Sequence, residues 1–519
     1  MVFSGTNTMI VVIIVSLSLL LFLALIKFLE KLWWNPSRVQ KMMAAQGIKG
    51  PPYKFLHGNI KDIFRMRNES LGKPMNGLTH DMFPRMQPHI SKWIKQYGEN
   101  FLNWFGPTPM LVITEPELMK EVLNNKEKCF IKVEPEGYLK LLLGDGLVTS
   151  EGEKWAKMRR LANNAFHGES LKGMFPAVVD TIHLMLETWK QHEGEEIEVF
   201  SEFKMLTSEV ISRTAFGSGY MEGRNIFEML SQLAILTSRD AFKTKFPVIS
   251  KIWKTADDIE AHKLEKGIHD AIIRIIKKRE EKVLTGELES YENDFLGLLV
   301  TASYDEDEKK RITVNDLVDE CKTFYVAGHE TTNTVLSWTV LLLAIHPEWQ
   351  ERAREEVIDV FGNHDPDYDG IGRLKKMTMI IDESMRLYTP VINITRKVNK
   401  PTRLGNKLLL PKNMQLFVPT LKLHHDPQIW GEDVSQFKPE RFSEGIAKAT
   451  NNNSAAFMPF GLGPRACVGM NFALIEAKAA LSMILQRYTF SVSPGYVHSP
   501  TQVLTLRPKH GVQVIIRPL

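Results

Sequence analysis

Cysteine is scarce: the 519 residues hold three, Cys129, Cys321 and Cys467. So few, and odd in number, they imply no disulfide framework and fit a reducing compartment. A surplus of charge of one sign is missing too. Sixty-five basic residues against 61 acidic ones leave +4, too mild to suggest a nucleic-acid partner. No segment repeats at a fixed period. Residues 1–8 hold no Lys or Arg, so the basic start of a cleaved signal peptide is absent. What is plentiful is apolar: 44% hydrophobic residues suffice for a sizeable core, and the length allows two to four domains or one large one.

Met9 to Ile26 is an apolar run with Ser16 and Ser18 as its only polar members. Its 18 residues are just enough to span a bilayer core, more so if Phe28, Leu29 and Leu32 extend it. Lys27, Lys31, Arg38, Lys41, Lys49 and Lys54 follow, against the single acid Glu30. The positive-inside rule then keeps the body cytosolic, with Trp33 and Trp34 at the interface, as an uncleaved anchor would. Gly50-Pro51-Pro52 stiffens the exit, since proline fixes φ and restricts its predecessor. The division expected is an anchor over 1–30, a basic, Pro-containing linker over 31–52 and a body over 53–519.

Phe101 to Phe105, Gly-Pro-Thr-Pro and Met110 to Ile113 read as a hairpin. Helical spacing recurs from Ile182 to Trp189, Met205 to Phe216 and Ile226 to Leu236. Asp305 to Arg311 is a charged loop, Leu404 to Pro419 suits short strands, and Asn451 to Ser454 is a polar loop. Thr313 to Ile345 reads as one long helix, with a Thr313/Asp316 capping box at its start and Pro347 after its end. At 1.5 Å per residue it is about 50 Å long, enough to cross a domain. His329 and Glu330 in mid-run argue against a second membrane span.

Chemistry concentrates in two stretches. In Phe460-Gly-Leu-Gly-Pro-Arg-Ala-Cys-Val-Gly469, Cys467 precedes a helix-like run, Met470 to Arg487, where free N–H groups favour a thiolate. Glycines 461, 463 and 469 permit positive φ and the close approach of a flat object, and Arg465 adds a fixed positive charge. These residues suit a haem iron with acidic propionates, but equally a structural cysteine in a tight turn. The second stretch is Ala327-Gly-His-Glu-Thr-Thr332 in the long helix. Ala327 and Thr331 share a face, Gly328 leaves room for a ligand, and Glu330 beside two hydroxyls suggests a proton route. A satisfied kink would carry the same residues.

The first stretch resembles the haem-binding signature of the cytochrome P-450 superfamily, matched at Phe460, Gly463, Arg465, Cys467 and Gly469. The second is similar to that family's oxygen-activation motif. Glu383-Ser-Met-Arg386 with Arg441, by itself a plain surface pair, is similar to the family's buried triad. Trp155 with Arg159, and Arg396, stand where the family binds haem propionates. The run Gly47 to Tyr53, with Ile211 to Phe216 and Phe457 to Gly461, looks most like plant clan 72. The resemblance implies a mainly α fold with small β-sheets, the cytochrome P-450 fold, preceded by one transmembrane helix. It implies haem b on Cys467, with Arg465, Phe460, Trp155, Arg159, Arg396, Gly461 and Ala327 around it. Thr331 and Glu330 would deliver protons, and O2 with NADPH-derived electrons would be co-substrates. NADPH-cytochrome P-450 reductase would be the partner, docking on Lys154, Lys157, Arg160 and Lys172, or these are only a solvated face.

The expected product is a hydroxylated apolar small molecule, terpenoid or isoprenoid-derived, made by a monomer at the endoplasmic reticulum membrane. By analogy the pocket draws on Val133 to Leu147, Ile226 to Phe246, Phe324 and Val391 to Ile394. A haem-thiolate isomerase or dehydratase, a cysteine-nucleophile hydrolase and a non-catalytic membrane haem-binding protein stand as alternatives. The hydrolase lacks an evident His partner, and the other two leave the Glu330–Thr331 pair unused.

Overall fold

A computed structural model describes residues 2–73, 75, 77–217, 220–240, 254–288, 290–291, 294–453 and 455–519. The fold is mainly helical with small sheets. Its first helix, Val2–Leu29, continues through a π-helical turn, Glu30–Trp34, into a helix over Asn35–Ala45. Pro36 lies in the first turn of that helix, where its missing N–H costs least. Among the described residues this is the one helix, Met9–Ala45, long and apolar enough to cross a membrane. Val11, Leu17 and Phe22 stand exposed along it, with no protein to cover them.

The stretch read as a linker, residues 31–52, is packed onto the body. Val39 and Met43 are buried in a cluster with Leu102, Trp104 and Leu111. The Tyr53 hydroxyl donates to the Leu32 carbonyl at 2.6 Å, and the Leu102 N–H to Lys49 at 2.9 Å. Gly50 sits so close to this strand that a Cβ would lie 1.8 Å from the Leu102 oxygen. Basic charge and prolines mark the stretch as a linker in the sequence. Val39 and Met43, four residues apart on one face of the helix Asn35–Ala45, carry the packing.

The expected hairpin forms, Phe101–Phe105 against Thr108–Val112. Its second strand runs parallel to Gln415–Val418, which pairs antiparallel with Ile394–Val398, and Phe130–Ile131 closes the sheet. A three-stranded sheet joins Glu196–Glu198, Gln513–Pro518 and Tyr488–Val492. Two-stranded ribbons complete the β structure, Pro500–Gln502 with Leu506–Pro508 and Thr402–Leu404 with Leu408–Leu410.

The long helix spans Val314–Ile345, and Thr313 and Asp316 cap it reciprocally as expected. From Thr332 to Leu343 every residue is buried, so the helix needs no polar face and passes through the middle of the body. The helix after the cysteine covers Met470–Leu485.

Glu383 and Arg386 are no surface pair: both side chains are 0% exposed. Two Arg386 nitrogens lie 2.7 Å from the two Glu383 oxygens. The remaining N–H groups donate to the carbonyls of His424, Val434 and Gln436. Arg441 reaches the same carboxylate at 3.4 Å and donates to the Trp430 and Asp433 carbonyls. The pair thus fixes residues 424–441, and the ring of His424 accepts the Met458 N–H at 3.1 Å, just before the cysteine loop.

The packing of Met43, 0% exposed, gives a direct test. Met43→Ala is expected to destabilise the body by about 2–5 kcal/mol, as for other buried truncations, in denaturant unfolding of detergent-solubilised protein. An unchanged midpoint would mean that residues 31–52 do not pack on the body.

Candidate active site

The cysteine loop is folded by its own backbone. The Cys467 N–H donates to the Phe460 carbonyl at 2.9 Å and the Ala466 N–H to Gly463 at 3.0 Å. Gly461 and Gly463 both take φ near +75°, a conformation costly for any residue with a Cβ. At Gly463 a Cβ would also lie 2.5 Å from the Leu123 carbonyl, so this glycine lets the loop seat on the helix Pro116–Asn124. Gly469 differs from expectation: its φ is −91°, because it is the first cap of the following helix rather than a turn residue.

Cys467 opens onto a cavity between this loop and the long helix. The walls bring together Trp155, Arg159, Ala327, Thr331, Arg396, Phe460, Gly461 and Arg465 with Cys467, nine of the ten residues singled out from sequence. Glu330 is the exception. Its carboxylate is turned away to the ribbon at 500–508, where Oε1 accepts from the Thr505 hydroxyl at 3.0 Å and lies 3.8 Å from Arg507. Thr331 faces the cavity, its hydroxyl donating to the Ala327 carbonyl at 2.8 Å. Gly328 also lines the cavity, but a Cβ there would meet Ile211 at 2.6 Å. Its smallness therefore serves helix packing at least as much as ligand approach.

One wall is basic and short of counter-charge. Arg465 stacks 4.2 Å from the Trp155 ring and pairs with Glu151 at 2.8 Å, yet its buried Nη1 has no hydrogen-bond partner among the described residues. Burial, with Arg465 beside it, pulls Arg396 down to about 10. Burial, Arg396 and Arg465 pull Lys132 down to about 7, with Glu151 opposing. Sequence reading missed Lys132, which follows the short strand Phe130–Ile131 and carries no motif; only the fold sets it against Arg396. Arg159 turns to the sulfur side, donating to the Ala466 carbonyl at 2.6 Å and to Asn163 at 3.0 Å. Burial pushes the Cys467 thiol up, against the Gly469 N–H and Arg159.

The other wall is apolar: Leu147, Val148, Ile211, Phe324, Val335, Val391 and Ile394 line it. Of the segments expected to supply the pocket, 226–240 contributes no lining residue, and 241–246 lies outside the described residues.

The arrangement asks for a flat apolar ligand with acids at one edge and a soft cation at the sulfur. A family model, Cytochrome P-450, matches residues 72–515. The chain belongs to the cytochrome P-450 family. It is 57% identical over 505 residues to cytochrome P-450 CYP749A22 of Panax ginseng, covering 97% of this chain and 96% of that one. To the 11-oxo-beta-amyrin 30-oxidase of Glycyrrhiza uralensis it is 44% identical, covering 94% of each chain. To the 7-deoxyloganic acid hydroxylase of Catharanthus roseus it is 42% identical, covering 95% and 96%. This cytochrome P-450 is accordingly a monooxygenase of the plant type.

The family implies a haem-thiolate group, and the cavity fits one. The unpartnered Arg465 Nη1 and three cations facing one carboxylate call for further anionic groups, which haem propionates would supply. A buried thiol becomes a thiolate cheaply only with a cation on it, which the iron would be.

The basic wall has a measurable signature. Lys132 has a folded value near 7 against an ordinary 10.5, so in that window the unfolded chain binds the extra proton. Stability of the haem-free protein should therefore rise with pH between those values, by up to about 1.4 kcal/mol per unit. Lys132→Met should remove the rise, and bound haem should abolish it by keeping the ammonium paired. Urea titrations at several pH values check this, and an equal slope in parent and variant would exclude Lys132 as the source.

Proposed function

We propose that this cytochrome P-450 hydroxylates an apolar, terpenoid-type small molecule at the endoplasmic reticulum membrane, as a single-pass monomer with its body in the cytosol. Electrons would come from NADPH through cytochrome P-450 reductase. The observation that carries the reading is the shared cavity: Cys467, the basic edge, Thr331 and an aliphatic wall all open onto it. The names of the relatives from Glycyrrhiza and Catharanthus, an amyrin-type oxidase and a deoxyloganic acid hydroxylase, support the substrate class. The long apolar first helix and the basic residues after it support the membrane placement.

Bound haem supplies the oxygen-activating iron; the protein supplies everything around it. Cys467 would hold the iron, while Arg465, Arg396, Lys132 and Trp155 would meet the acidic edge. Leu147, Ile211, Phe324 and Val391 would hold an apolar substrate and exclude water. Thr331 would present protons at the cavity, and Glu330 would take them up on the Arg507 side. In the basic docking face, Lys154 pairs with Asp145 and Asp316 at 2.8 and 2.5 Å, Lys157 donates to the Arg311 carbonyl at 2.8 Å and Lys172 lies 3.8 Å from Asp369, so a redox partner there would have to share these cations with intramolecular acceptors.

Two variants test this. Cys467→Ser replaces a soft anionic ligand by a hydroxyl and should abolish the thiolate-type carbon monoxide difference spectrum of reduced microsomes. A variant that retained that spectrum and its turnover would overturn the ligand assignment. Thr331→Ala leaves a methyl that suits a helix, so folding and substrate binding should survive. NADPH consumption should continue while product per NADPH falls well below the parent, the balance leaving as hydrogen peroxide. Unchanged coupling would withdraw the role given to Thr331.

A further inference from the structure

His329 precedes Glu330 in the long helix and is buried at 2% exposure. Its Nδ1 lies 2.5 Å from the Tyr325 carbonyl oxygen. A carbonyl can only accept, so Nδ1 carries the hydrogen and the neutral ring presents a lone pair at Nε2. That nitrogen is buried without a hydrogen-bond partner among the described residues and sits 3.7 Å from Glu330 Oε2. Two acceptors face each other across a gap slightly too long for a direct hydrogen bond. If Glu330 is ionised, two lone pairs repel inside the protein; one proton between them turns repulsion into a hydrogen bond.

Among the described residues the surroundings supply no other donor to Nε2. Phe227, from the helix Tyr220–Asp240, offers only its ring, 5.0 Å away and edge-on. The Thr207 hydroxyl, from the helix Val199–Phe216, donates to the His329 carbonyl, not its ring. Lys204 on that helix and Arg507 on the ribbon are the cations acting on the pair, and Glu228 acts on Lys204 in turn. Burial holds the imidazole below its ordinary value, with Lys204 adding to this and Glu330 opposing, so the ring stays a neutral acceptor near pH 7. A histidine that merely filled space beside Phe227 would have no need of its unpaired nitrogen at that carboxyl.

We infer that His329 Nε2 and the Glu330 carboxyl share one proton, which makes His329 a positioning residue for the proton supply of the oxygen reaction. The inference rests on the role given above to Glu330 and Thr331. When the proton moves on toward Thr331, a carboxylate and a neutral imidazole remain, and water on the Arg507 side returns a proton to the carboxylate. Thr505, donating to Oε1, keeps Oε2 turned to His329.

Nitrogen NMR of the full-length holoenzyme, labelled with 15N-histidine and held in its reduced carbon monoxide form, reads the pair directly. His329→Phe, or His329→Asn if that variant folds poorly, assigns the signal by its loss. The expected spectrum has Nδ1 protonated and Nε2 shifted to the position of a hydrogen-bonded acceptor. Glu330→Met should move Nε2 to the position of a free acceptor. An Nε2 already at that position in the parent, or unmoved by Glu330→Met, would overturn the inference. As a second readout, product per NADPH in His329→Phe should fall more steeply with rising pH than in the parent; a parent-like profile would also overturn it. Failure of the Glu330–Thr331 reading shows separately, as unchanged coupling in Thr331→Ala, while the nitrogen signal still reports on the pair.

Discussion

Two charges with no access to water, Glu383 and Arg386, govern how the Cys467 loop is presented. A buried ion pair contributes little net stability unless every remaining donor is met. Here all five guanidinium N–H groups find acceptors, two on the carboxylate and three on carbonyls of residues 424–436. Those carbonyls lie in irregular chain that would otherwise have to carry unsatisfied polar groups into the interior. Arg386 gathers them, Trp430 packs on its face at 5.2 Å, and His424 passes the constraint on to Met458. Phe460 follows, and its carbonyl holds the Cys467 N–H.

The cavity that results is unbalanced by design of its charges. Lys132, Arg396 and Arg465 share Glu151, and burial works against all three cations. Such an arrangement stores unfavourable energy in the haem-free chain and releases it when an anionic edge arrives. The same wall therefore selects the orientation of the flat ligand. An acidic edge set against the apolar wall instead would find no cation to pair it.

Local spacing made much of this legible. The Thr313/Asp316 cap, the hairpin at 101–112 and the loop around Cys467 each lie within a dozen residues, and short-range chemistry decides them. Family resemblance added what spacing could not: that Glu383 and Arg386 would be buried, and that Trp155 and Arg396 would meet at one cavity. What escaped reading was set by distant partners. Gly328 is small because of Ile211, over a hundred residues earlier, and Glu330 turns away because of Thr505, 175 residues later. Lys132 has no motif at all. Residues 31–52 read as a linker because their apolar side chains barely show against the basic residues around them, yet Leu32, Pro36, Val39 and Met43 are buried there.

The unbroken helix from the apolar terminus into the body has a mechanical consequence. Met9–Ala45, about 55 Å of continuous helix at 1.5 Å per residue, is clamped at its inner end by Val39, Met43 and the Tyr53–Leu32 hydrogen bond. A flexible tether would let the body tumble above the bilayer; a stiff shaft built into it does not. With this helix in a bilayer, the tilt of the shaft would set the angle at which the body meets the surface. Its remaining free motion there would be rotation about the shaft and drift in the plane, so encounters with another membrane protein would become a two-dimensional search at nearly fixed height.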